Sequence, residues 1–293
     1  MKKILSIAGL LLLFAACSNE SVNEVINDVL VPVKVHVSGF SVSQEELPTT
    51  RVAQDVADYS GVKAVTLAFY DGSTEVLKTT QQRDDASTYT TFGEFDCTLP
   101  MGSYTMVVIA RGLTDGDVFT LTSPTEAAYT GDHSRETFAA TQAVNITNTS
   151  AVDISATLNR IIAKLQVLST DGKTANAKSV RMTFAAGGKS FNPTTGLATS
   201  NTGFANTVPI SAAVGSPSNS TSYVFLASDE QDIDVTIDAL DADGAVLFSK
   251  TVKNVPFKRN RLTKLTGAMY TNDAVSTTFQ VETAWLTDYN MNF

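Results

Sequence analysis

The sequence predicts an all-β protein built as two β-sandwiches in tandem. Three observations predict it. Apolar residues recur at every second position in short runs, the period of a strand with one buried face. Gly, Asp, Asn and Pro interrupt those runs where turns are needed. Beyond residue 30 no long stretch repeats its apolar residues with a helical period. The runs fall into two groups of roughly seven, which suits one sheet-on-sheet interior per group. The break lies near residues 158–160, so the expected domains are 31–158 and 159–293.

The first twenty residues stand apart. Lys2 and Lys3 precede an apolar run from Ile4 to Ala16, and polar Ser18, Asn19 and Glu20 follow. A basic start, a short apolar core and small residues before a cut describe a secretory signal peptide, expected to be residues 1–16. The run is shorter than the ~20 residues of a membrane-spanning helix. Leu13-Phe14-Ala15-Ala16-Cys17 resembles the lipobox of bacterial lipoproteins, although Phe14 stands where a smaller aliphatic residue is usual. The resemblance implies cleavage before Cys17 and lipidation of it. The plainer alternative is an ordinary signal peptide that happens to carry a Cys near its end. Residues 17–30 would then be a lipidated tether. Each buried CH2 contributes ~0.8 kcal/mol, so several acyl chains make a durable anchor.

In the first group, Val31, Val33, Val35 and Val37 alternate with Lys34 and His36, a half-buried strand. Residues 41–60 are a polar link that carries Arg51, by itself a plain loop arginine. Lys63 to Tyr70 is a strand closed by a turn at Asp71-Gly72, across which Glu75 to Thr80 pairs back. Thr88 to Leu99 leads through Pro100-Met101-Gly102 into the strongly apolar Ser103 to Ala110. Val118 to Thr122, Ala143 to Thr147 and Val152 to Leu158 complete the group.

The second group opens with Ile161 to Leu168 and continues with Ser179 to Ala185. Residues 192–220, rich in Asn, Thr, Gly, Ser and Pro, read as loop. Ser222 to Leu226, Ile233 to Ala239, Ala245 to Val252, Arg261 to Met269 and Thr277 to Val281 are strands. In the last nine residues, Trp285, Tyr289, Met291 and Phe293 share one face while Asp288, Asn290 and Asn292 share the other. Residues 285–293 read either as the last strand of the second domain or as a strand donated to another subunit.

Composition bounds the chemistry. The 293 residues carry a net charge of −9, and losing Lys2 and Lys3 makes the chain more acidic still. That balance argues against nucleic acid, whose phosphates must be neutralised by Lys and Arg. There are two cysteines. With Cys17 lipidated, Cys97 has no partner within the chain, and its place between Phe95 and Leu99 makes it a small core residue. His36 and His133 lie far apart in the sequence and read as surface residues. Zinc-ligand spacing, a P-loop and a nucleophile elbow are absent from the sequence, so no metal, cofactor or enzymatic activity is expected. Asp241-Ala242-Asp243-Gly244 reads as a hairpin turn, because the later acidic ligands of a calcium loop do not follow.

Several short blocks, in this order, resemble those of one family. They are the lipobox at Cys17, the first strand followed by Thr50-Arg51, Val65 to Tyr70, Leu99 to Thr105, Ala156 to Arg160, and Val255 to Gly267. On these the chain is similar to the fimbrillin superfamily of the Bacteroidia, which builds type V pili. The branch it resembles holds fimbrium anchoring and accessory subunits. The resemblance implies two transthyretin-like β-sandwiches and assembly with other fimbrial subunits by strand exchange. In shaft subunits of the family a protease cuts after an Arg in the loop behind the first strand, and Arg51 sits at that place. Anchor subunits keep their lipid and are not cut. The expectation is a lipid-anchored base or accessory subunit, held on the outer membrane through Cys17 and facing host or bacterial surface ligands. Two alternatives stand beside it: a processed shaft or tip subunit, and a monomeric surface lipoprotein that binds glycan or host protein.

Overall fold

In the computed structural model, residues 29–41, 56–83, 91–112, 119–131, 134–271 and 280–283 are described. The architecture is all-β, with no helix among these residues.

The first half supplies β1 (Val31–Ser41), β2 (Ala64–Asp71), β3 (Thr74–Gln82), β4 (Glu94–Leu99), β5 (Gly102–Arg111), β8 (Thr137–Ile146) and β9 (Val152–Arg160). They form one sheet in the order β3-β2-β5-β8-β9-β1-β4. The sheet folds over on itself at β8 and β9, which pair only through Phe138–Arg160 and Ala139–Asn159 before diverging. The two layers so made, β3-β2-β5-β8 and β9-β1-β4, enclose one core. It takes Val31 to Val37 at alternate positions, Val65, Leu67 and Phe69, Met106 and Val108, and Ile154, Ala156 and Leu158. Alternation along each strand delivers one face to this interior, as the period of two requires.

The second half supplies β10 (Ala163–Ser169), β11 (Ser179–Phe184), β13 (Phe204–Pro209), β14 (Asn219–Val224), β15 (Glu230–Leu240), β16 (Val246–Lys258), β17 (Leu262–Gly267) and β18 (Gln280–Thr283). Its sheets run β13-β11-β15-β16 and β14-β10-β17-β18. Exchanging β3, β2, β5, β8 for β13, β11, β15, β16, and β4, β1, β9 for β14, β10, β17, converts one half into the other. Pairing senses follow: β1 runs parallel to β9 and β10 parallel to β17. Strand β18, antiparallel on the outer edge of β17, has no counterpart in the first half.

The remaining strands, β6 (Phe119–Ser123), β7 (Glu126–Tyr129) and β12 (Ser190–Phe191), join the halves in a small sheet ordered β12-β7-β6. Beneath it lies a third core of Ala68, Tyr70, Val107, Ile109, Leu121, Tyr129, Phe191 and Phe225. Phe191 stacks on Phe225 with ring centroids 4.3 Å apart. One interior per half was expected, and this shared one was not. Its signature is in the sequence: β2 and β5 read as nearly unbroken apolar runs because both of their faces are buried, one in each core.

A second difference concerns residues 192–220, expected as loop, which contain β13 and the first residues of β14. Inward positions of β13 include Asn206, only 2% exposed, whose amide donates to Ser222 Oγ at 2.7 Å. A buried amide on the core face, held through its NH2 group, hides the apolar alternation that marks a strand.

Candidate assembly site

Strand β1 is interior to its sheet. It pairs antiparallel with β4 from Val31–Leu99 to His36–Glu94, and parallel with β9 from Val33–Val152 onward, with an irregularity between Val37 and Phe40. Val31, Val33, Val35 and Val37 are at most 1% exposed. On the outer face, Lys34 lies 3.7 Å from Asp96 and His36 meets Glu94. Those exposed pairs contribute little. The valines hold the strand in.

Strand β4 depends on β1. Among the described residues, β1 is its one strand partner. On its other side a single side chain stands in for a neighbouring strand. The Gln81 amide donates to Glu94 O at 2.5 Å, and its oxygen accepts from Gly93 N at 2.8 Å, as a peptide group would. Gly93 has φ of +96°, and a Cβ there would lie 2.9 Å from Val56 Cγ1, so only glycine fits. Its carbonyl accepts from Val37 N at 3.0 Å. Cys97, directly across from Val33, is a half-buried free thiol that donates to Val33 O at 3.5 Å. Burial first, and Asp96 second, push that thiol's pKa up, which favours the neutral, unreactive form. The thiol therefore packs, as its place in the strand pattern indicates.

Where the halves meet, a cleft of about 670 Å3 opens at the divergence of β8 and β9. Thr141, Thr157 and Asn159 line one wall, Thr194 and Thr195 another, and Lys258 and Arg259 a third. Its charges are paired. Arg259 binds Asp229 at 2.6 Å and Lys258 binds Glu230 at 2.7 Å. Arg160, its side chain 6% exposed, meets Glu136 at 2.8 Å, donates to Asn260 Oδ1 at 2.9 Å and lies over the Phe138 ring. The Tyr59 hydroxyl donates to Glu136 at 2.8 Å. Burial raises the pKa of Glu136 against the pull of Arg160, and burial likewise lowers that of Arg160. Asn260 sits in the left-handed region at φ 60°, which asparagine tolerates, and its N–H donates to Ile162 O at 3.1 Å. Sequence reading did not single out this cluster. A charged pair across the break, in Glu136 and Arg160, carries no periodic signal.

The other expected site residues, Cys17, Arg51, Trp285, Tyr289, Met291 and Phe293, lie outside the described residues, as does His133. No three His, Cys, Asp or Glu side chains converge as a metal site among the described residues.

Residues 30–291 match the model of DUF6562, a family of unknown function. No curated protein matches the chain. Among solved structures, a candidate adhesin from Bacteroides ovatus aligns with TM-score 0.50 at 11% identity, covering 82% of this chain and 88% of that one. At such identity the likeness is one of fold. The fimbrial anchor protein Mfa2 from Porphyromonas gingivalis aligns with TM-score 0.48 at 12% identity, over 86% of this chain and 95% of that one. The tip fimbrial protein Mfa3 of the same organism, with a C-terminal truncation, aligns with TM-score 0.40 at 13% identity, over 87% and 98%.

Proposed function

Because the chain belongs to the DUF6562 family, whose function is unknown, we propose a role from its own architecture: a structural subunit of a cell-surface fimbria. In this reading two transthyretin-like sandwiches stand in tandem behind a signal peptide. Cys17 carries the lipid that holds the chain on the outer membrane. The chain serves as a base or accessory subunit, and it joins other fimbrial subunits by exchange of β-strands. It is not an enzyme.

The observation that carries the reading is the seat of β1. The strand is central, its four valines fill the core, and it is followed at once by the link that holds Arg51. Taking β1 away would leave a slot between β4 and β9 with an apolar floor and two unpaired edges. An empty slot of that kind is costly, and an extended strand from a neighbour relieves both defects. Such a contact is head-to-tail, so it propagates rather than closes. The fimbrillin-like blocks of the sequence and the fold shared with a candidate adhesin support the same reading.

Intact mass of the protein from isolated cell-surface fibres, beside the Cys17→Ala variant, tests it. A mass from Cys17 with acyl chains is the expected result. A mass beginning at Val52 would make the chain a processed shaft or tip subunit. Absence from fibres would reject the assembly role in favour of a solitary surface lipoprotein.

A further inference from the structure

The two halves repeat one strand order, yet they treat one place differently. In the second half β16 and β17 diverge, and β18 lies against β17 from Thr263–Thr283 to Thr266–Gln280. In the first half β8 and β9 part beyond their two pairs, Phe138–Arg160 and Ala139–Asn159. There, among the described residues, β8 from Ala140 to Ile146 and β9 from Val152 to Leu158 have no strand on the edges that face the fork. The cleft at the halves' junction opens at its apex, beside Ala140, Thr141 and Thr157.

Open edges invite pairing, and proteins ordinarily guard them with Lys, Pro or charge. The counterpart of β8 is so guarded: β16 carries Lys250, Lys253, Pro256 and Lys258. Between Ala140 and Leu158 there is no Lys, Arg, Pro or Gly, and Asp153 is the one charge. Apart from Asp153, the outward positions are short and neutral, among them Ala143, Asn145, Ser155 and Thr157, all exposed. A fork of two unguarded edges, whose equivalent is already filled by a strand, has the form of a strand-docking site.

We propose that the β8–β9 fork accepts an extended strand from a second copy of this chain, namely residues 284–293. The strand adds antiparallel to β9 as β18 adds to β17. Charge selects this occupant: the ion pairs around the cleft are satisfied internally, so the fork suits a nearly neutral strand. Residues 288–293 alternate polar and apolar side chains, and the whole stretch 284–293 carries a single charged side chain, Asp288. Their ten residues span about 33 Å when extended, against about 23 Å for the open seven of β9. The donor stretch is the one invoked in the fimbrial reading, on which the inference rests, but the acceptor differs: it needs no removal of β1.

The test uses the chain from Cys17 onward with Cys17→Ser and a fluorescent synthetic peptide of residues 280–293. Saturable binding is expected, with slowed amide exchange confined to 140–146 and 152–158. Lys at two exposed fork positions, Ala143→Lys with Ser155→Lys, should weaken binding at least about tenfold, as charge guards an edge. Thr79→Lys, on the exposed edge strand β3, should leave it unchanged. Absence of binding, indifference to the paired lysines, or protection falling on β4 would overturn the proposal. A further variant, Val33→Cys oxidised to Cys97, locks β1. Binding that persists in it supports the fork. Binding that disappears would show the peptide displacing β1, which rejects the fork and leaves the strand-exchange reading standing.

Discussion

Removing β1 should unfold the first half and spare the second. The perturbation is a chain that begins at Val52, as cleavage after Arg51 would leave it. The loss can be worked from burial. Val31, Val33, Val35 and Val37 are at most 1% exposed. Each fully buried valine contributes about 1.5–3 kcal/mol, so the four together amount to roughly 6–12 kcal/mol, an upper figure because unfolded chains are partly compact. Whole domains are stable by only ~5–15 kcal/mol. Strand β4 also loses its strand partner, keeping only the Gln81 amide. The second half keeps its own core around Leu165, Val180, Val235 and Phe257, none of which touches β1. Hydrogen exchange read by mass spectrometry should therefore show fast exchange across β2, β4 and β5 and slow exchange across β11 and β15. Adding a synthetic peptide of residues 29–41 should restore protection in β4 first. If the shortened chain keeps β4 protected and melts within about 2 °C of the full chain, β1 does not hold the first core and the slot argument fails.

Three further outcomes follow from the same packing. Val33→Cys faces Cys97 directly across an antiparallel pair, where a disulfide can close. Oxidised, it should retain β1 after cleavage within residues 42–55, so that a non-reducing gel shows one band and a reducing gel shows two. Arg160→Met should cost about 3–5 kcal/mol, since it leaves the Glu136 carboxylate buried without its cation. Burial already raises the pKa of Glu136, and losing Arg160 raises it further. The native state then holds a proton that the unfolded state releases, so stability of the variant falls as pH rises above the ordinary carboxylate range. Urea midpoints should drop more between pH 5 and pH 8 in the variant than in the parent, and equal drops would contradict the burial argument. Phe191→Ala should cost about 3–5 kcal/mol in the shared core. Calorimetry should then resolve two transitions where the parent shows one, and a single transition in both would mean the third core does not couple the halves.

The strands that sequence reading recovered are those that bury one face. In β1 from Val31 to Val37, and in β9 and β10, buried positions alternate, and each was readable from its valines, isoleucines and leucines alone. Three kinds of element escaped. Strands β7 and β12 are four and two residues long, too short for any period to be seen. Strand β13 puts Asn206 on its inner face. The both-sided burial of β2 and β5 was visible as apolar runs, but what covers their second face comes from Phe191 and Phe225, far along the chain. The Glu136–Arg160 pair and the Gln81 clip could not be read in advance for a related reason. Each is a single side chain answering a buried polar group across a fold, and one residue has no pattern.

The repeated strand order explains why the chain reveals its architecture more readily than its partners. The halves build one topology from different residues, because a strand needs only alternation and a turn. Their edges, by contrast, are set residue by residue: Lys250, Lys253, Pro256 and Lys258 guard β16, while β8 has no such guard. If both edges merely faced water, the same hazard of mispairing would act on each, and the same guards would serve. A difference between two equivalent edges of one molecule therefore marks a difference in what lies against them. On β17 the neighbour is β18 of the same chain. On β9 the equivalent place is where a neighbour from outside would fit.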